Sequence, residues 1–82
     1  MGGIFMREFN IAIRSFQEIQ EFVALAMVQP FEVLVGNDGQ AINGKGFMGM
    51  LSLDDNQPLR VTVKCTEEQF LQFRQDAARF LA

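Results

Sequence analysis

Leu59-Arg60-Val61-Thr62-Val63-Lys64-Cys65-Thr66-Glu67-Glu68-Gln69-Phe70 changes its hydrophobic period in the middle. From Leu59 to Cys65 apolar and polar residues alternate strictly, the period of two of a strand with one buried face. Cys65 falls in the inward register, as a small buried residue. Thr66-Glu67-Glu68-Gln69 then forms a capping box, and Phe70, Phe73, Ala77, Phe80 and Leu81 recur behind it at helical spacing. Glu67 and Glu68 are the acidic first turn of this helix, not a catalytic pair. A half-exposed strand feeding straight into a helix with one apolar stripe asks for a sheet covered on one side by helices.

The rest of the chain repeats that demand. Between Ile4 and Ile13 the odd positions hold Phe5, Phe9, Ile11 and Ile13, a strand period interrupted by Arg7. Ser15-Phe16-Gln17-Glu18 reads as a first capping box, with Glu18 reaching back over the helix start. Phe16, Ile19, Val23, Ala26 and Met27, joined partly by Phe22, then fall on one helical face, and Pro30 ends the helix. Phe31-Glu32-Val33-Leu34-Val35 is rich in β-formers and meets Gly36-Asn37-Asp38-Gly39, read as a hairpin turn into a short strand over 40–43. Gly44-Lys45-Gly46 breaks that strand, and Phe47-Met48-Gly49-Met50-Leu51-Ser52-Leu53 reads as a helix of about two turns, at about 3.6 residues per turn. Asp54-Asp55-Asn56-Gln57-Pro58 is a polar loop. It lacks the spacing and the distal Glu of a calcium loop. The element order β-α-β-β-α-β-α implies an α+β fold, an open-faced two-layer sandwich. Its four-stranded, mainly antiparallel sheet carries three helices on one face, in a single domain over residues 1–82.

Composition narrows the chemistry. The 82 residues carry a net charge of −3, with no histidine, one cysteine and nine phenylalanines. Without histidine there is no imidazole metal ligand, no Ser–His or Cys–His nucleophile pair and no phosphohistidine. Seven scattered Lys and Arg residues against ten carboxylates do not make a nucleic-acid surface. No apolar run is long enough for a membrane span. Gly2 lacks the Ser or Thr at position 6 that myristoylation wants, since Met6 stands there. A lone cysteine leaves the reducing cytoplasm as the expected compartment. The glycines follow no phosphate-loop pattern, and Ser15 has no base to activate it, so it reads as a helix cap. No catalytic constellation, metal set or cofactor motif emerges: the expectation is not an enzyme, with no cofactor and no metal.

One segment carries a family resemblance. Asn37-Asp38-Gly39-Gln40, followed by Ile42-Asn43-Gly44-Lys45-Gly46-Phe47-Met48-Gly49-Met50-Leu51-Ser52-Leu53, resembles the HPr family, the histidine-containing phosphocarriers of the bacterial sugar phosphotransferase system. Lys45, Met48-Gly49 and Ser52-Leu53 match at the family spacing from the hairpin. The last strand and the capped final helix also look like the family's, so the resemblance extends over nearly the whole chain. It implies an open-faced sandwich and a phosphoryl acceptor histidine at the start of the first helix, in a Gly-x-His-x-Arg-Pro context. Here Ser15 stands at that position in one register and Gln17 in another, and the Arg-Pro pair is missing in both. The regulatory serine that many family members carry at the start of the short helix is replaced by Gly46. Ser52 keeps a hydroxyl six positions later, with a structural role on family analogy.

What the resemblance leaves is a docking face. Its matching residues are Phe47, Met48 and Leu51, with Phe16 or Gln17 and Gln20 alongside. Met50 and Leu53 are the core side of the short helix. The bland alternative makes Phe47 the edge of a small core and Met48 a scattered apolar residue. The implied partner is a protein, either phosphotransferase-system enzymes or a transcriptional regulator. A second functional class, a self-associating structural module, would dimerise through the short-helix patch or by exchanging the first strand.

Overall fold

The computed structural model describes residues 3–37, 39–53 and 57–82; Gly2, Asp38 of the hairpin and the Asp54-Asp55-Asn56 part of the polar loop lie outside the described residues. In chain order the elements are β1 (Phe5–Ile11), α1 (Phe16–Met27), β2 (Val33–Asn37), β3 (Gln40–Asn43), α2 (Phe47–Leu51), β4 (Leu59–Cys65) and α3 (Glu67–Asp76). A 3-10 turn over Ala78–Phe80 follows. All strand pairs are antiparallel and the spatial order is β1-β4-β2-β3, so the expected α+β open-faced sandwich is the fold.

β4 is bonded on both edges. It pairs with β1 from Phe5↔Cys65 to Ile11↔Leu59 without a bulge, and with β2 from Val33↔Val63 to Gly36↔Arg60. Its alternation works as read: Leu59, Val61, Val63 and Cys65 are buried, while Arg60 and Lys64 are exposed. Over its buried face lie Ile19, Phe22, Val23 and Ala26 of α1 and Phe73 of α3. Phe73 is the aromatic hub. Phe9 and Phe31 each meet it edge-on at 5.7 Å between centroids, and Phe22 is tilted against it at 6.2 Å. Such pairs add about 0.5–1.5 kcal/mol each beyond the area they bury. No polar or charged side chain is buried among the described residues.

Several boundaries differ from expectation, each for a local reason. β1 is shorter than the 4–13 run, and Phe5, though in the inward register, is 61 % exposed. Arg7 fills the inward position between Phe5 and Phe9. Its Nε donates to the Cys65 carbonyl at 3.2 Å, and its guanidinium lies 5.7 and 5.9 Å from the ring centres of Phe5 and Phe70. On α1 the buried stripe is Ile19, Phe22, Val23 and Ala26, and Phe16 and Met27 are exposed. Met27 is rotated about 100° from Ala26 around the axis, out of the stripe. Phe31 precedes β2 and packs its ring on Phe73 instead of joining the strand.

The hairpin is tighter than the four-residue turn expected, since Asn37 pairs with Gln40 and only 38–39 remain to make the turn. Gly39 has φ +79, a left-handed conformation that glycine adopts without penalty. Gly36 pairs with Ala41 inside the strand, and only glycine fits there because a Cβ would stand 1.8 Å from the Gln40 carbonyl oxygen. The final helix ends at Asp76, and Leu81 leaves the expected helical stripe to bridge Ile11 as a short antiparallel contact.

Two substitutions test this core by urea denaturation. Phe73→Ala should cost about 3–5 kcal/mol, the range for emptying a buried aromatic site. Gly36→Ala should cost more than about 1 kcal/mol although alanine is the better strand residue, because the β2–β3 hairpin must open to admit the methyl group.

Candidate functional site

The start of α1 lies beside α2, as their paired rings show. Ser15 is the N-cap in extended backbone, its Oγ accepting from the Glu18 N–H at 3.1 Å. The other half of the expected capping box is shifted by one residue: Glu18 Oε1 accepts from the Arg14 N–H at 2.6 Å, not from Ser15. A carboxylate is therefore seated at the helix start, where it takes the favourable end of the helix dipole. Gln17 lies exposed on the first turn, its amide donating to Glu21 at 3.3 Å.

Gly46 caps α2 through its backbone alone. Its carbonyl accepts from Met50 N–H at 3.1 Å, and there is no side-chain bond at the cap. The preceding loop is tied down by Asn43, whose Oδ1 accepts from Lys45 N–H at 2.9 Å, and by Lys45, whose Nζ donates to the Gln29 carbonyl at 2.8 Å. Ser52 Oγ donates to the Gly49 carbonyl at 2.6 Å and finishes the helix, the structural role expected of it.

Of the apolar residues of α2, Met50 and Leu53 after it are buried, as expected. Phe47 is half-buried, not outside: it packs against the core, and Phe16 covers it edge-on at 5.3 Å between centroids. Phe16 is 57 % exposed, Met48 77 % and Leu51 40 %. Met48 and Leu51 are three residues apart and so neighbours on the helix surface. Gln20 lies exposed one turn beyond Phe16 on α1. Phe16, Met48 and Leu51 thus leave apolar surface beside the half-buried Phe47, with the polar side chains of Ser15, Gln17 and Gln20 along α1.

Chemistry is sparse around it. Among the described residues no group of three or more Cys, Asp or Glu side chains could hold a metal ion. No helix of the described residues is long and apolar enough to cross a membrane. Cys65 is buried, and burial pushes its thiol pKa up, an effect only partly offset by the Arg7 guanidinium. Three further exposed apolar groups lie outside this surface: Ile4 and Met6 beside Phe5 at the start of β1, Met27-Val28 at the end of α1, and Leu71 on α3. Alternation could have marked Met6 as outward-facing, since it stands between Phe5 and Arg7.

Compared with known proteins, the chain matches no family model, no curated protein and no solved structure.

The Cys65 thiol makes a pH test of burial. The folded chain keeps a proton that the unfolded chain releases above about pH 8.5, so stability should fall as pH rises past that value. Urea midpoints measured from about pH 7 to about pH 10 should decline less steeply for Cys65→Ala than for the unsubstituted chain, because the variant has no thiol to titrate.

Proposed function

We propose that this chain is an HPr-like protein that carries no phosphate on histidine and acts by binding a protein partner of the phosphotransferase system. The observation that carries this is the exposed apolar surface formed by Phe16, Met48 and Leu51 around Phe47. Exposed apolar clusters bounded by polar residues mark interaction sites, and methionine adapts well to a partner's contours. Three residues support the absence of phosphoryl transfer. Ser15 is engaged as a cap, Glu18 puts a carboxylate at the helix start, and Gly46 has no hydroxyl. A phosphoryl group at the start of α1 would face that carboxylate, a like-charge arrangement that disfavours it.

Titrating the protein with purified enzyme I of the phosphotransferase system, followed by calorimetry, tests the binding. Binding should be measurable, and Met48→Ala should weaken it about tenfold or more, a loss of about 1.4 kcal/mol. Met48 is exposed, so the fold should be unaffected. Mass spectrometry after incubation with phosphoenolpyruvate and enzyme I should show no phosphate adduct. No binding of enzyme I, or equal binding by Met48→Ala, would contradict this function.

A further inference from the structure

β1 is an edge strand, and only part of its outer edge is used. Ala82 N–H donates to the Asn10 carbonyl at 3.1 Å, and Ala12 N–H to the Phe80 carbonyl at 2.7 Å. The backbone groups of Asn10 and Ala12 thus point away from β4. Alternation along an antiparallel strand aims those of Glu8, Met6 and Ile4 the same way. Among the described residues nothing pairs with them. Native edges are blunted by proline, bulges, charged side chains, shortness or a cover. The free stretch of β1 has no proline and no bulge. Its charges are Arg7, turned inward and held against Cys65, Phe5 and Phe70, and Glu8, and it carries Ile4, Phe5 and Met6 at 63, 61 and 69 % exposure.

We infer that this edge pairs antiparallel with the same edge of a second copy, about a two-fold axis at Met6. Three physical terms select that register over one centred on Arg7. A two-fold axis perpendicular to the sheet requires pairs whose outward-facing backbone groups meet, which Met6 on Met6 and Ile4 on Glu8 satisfy. Centring the axis on Arg7 would set the two guanidinium groups directly opposite each other, a destabilising like-charge pair. It would also bring Ile4 of the second copy to Asn10, whose carbonyl is already taken by Ala82. The Met6 axis stops short of that tail, pairing Gly3 with Phe9. It also sets Phe5 opposite Arg7 of the second copy as a non-hydrogen-bonded pair, in which side chains stand closest and a guanidinium can lie on a ring. The two sheets become one eight-stranded sheet with every helix on the same side.

An edge of this length buries less than a standard interface of about 1,200–2,000 Å², so the dimer is weak and concentration-dependent. It shares no residue with the α1–α2 surface, and either can fail without the other.

Sedimentation equilibrium from about 1 µM to about 1 mM, the range in which small interfaces dissociate, should show a monomer–dimer equilibrium. Met6→Pro should weaken it at least tenfold while leaving the circular dichroism unchanged. The Met6 N–H points to the free edge, so proline removes no bond to β4. Met48→Ala should leave the dimer intact. Met6→Cys should cross-link across the axis under mild oxidation and Glu8→Cys should not; the native thiol Cys65 is buried. The cross-link reports the register even if the proline variant unfolds. A monomer throughout that range, a dimer indifferent to Met6→Pro in a folded variant, or cross-linking no better at position 6 than at 8 would overturn the inference.

Discussion

The alternation of Leu59, Val61, Val63 and Cys65 with Arg60, Thr62 and Lys64 is the constraint on which the rest of the structure depends. A strand with that pattern must have one face covered, and its place between β1 and β2 satisfies its backbone on both edges. β1 and β2 are far apart in sequence and meet only through it. The helices that cover its apolar face are then obliged to lie on one side. The other side, carrying Glu8, Arg60 and Thr62, remains open. Had β4 been polar on both faces, neither α1 nor α3 would have a surface on which to pack its stripe.

The core is small, and phenylalanine compensates for its size. Rings from β1, α1 and the segment before β2 converge on Phe73 of α3, two of them edge-on and one tilted, so elements distant in sequence are held together by aromatic contacts. The last ring, Phe80, packs edge-on against Phe22 at 5.8 Å and brings the C-terminal tail to β1. Along the outer edge of β1 that tail pairs with Ala12 and Asn10, and among the described residues nothing pairs with the stretch before it.

Two layers cannot hide every apolar residue of so short a chain. Those left outside include Phe16 at the start of α1, Met48 on the short α2, Leu71 on α3, Met27 and Val28 at the end of α1, and Ile4 to Met6 at the start of β1. Phe47 marks the boundary between the two roles, half in the core and half under Phe16.

The sequence by itself determined the element types, the inward face of β4, the two N-caps and the absence of histidine chemistry. All of these rest on local spacing or on residue identity. It also marked Met50, Leu53 and Cys65 as buried, because period alone sorts inward from outward. Only the tertiary structure decided where that sorting fails. Phe16 keeps the spacing of the buried stripe yet packs on Phe47 instead, because α2 is beside it. Phe5 keeps the inward register yet stays exposed, while Arg7 lies between it and Phe70. Leu81 keeps a helical spacing yet becomes a bridge to Ile11, because the helix has already ended. In each case the side chain's fate depends on a neighbour distant in sequence, and periodicity contains no information about which neighbour that is.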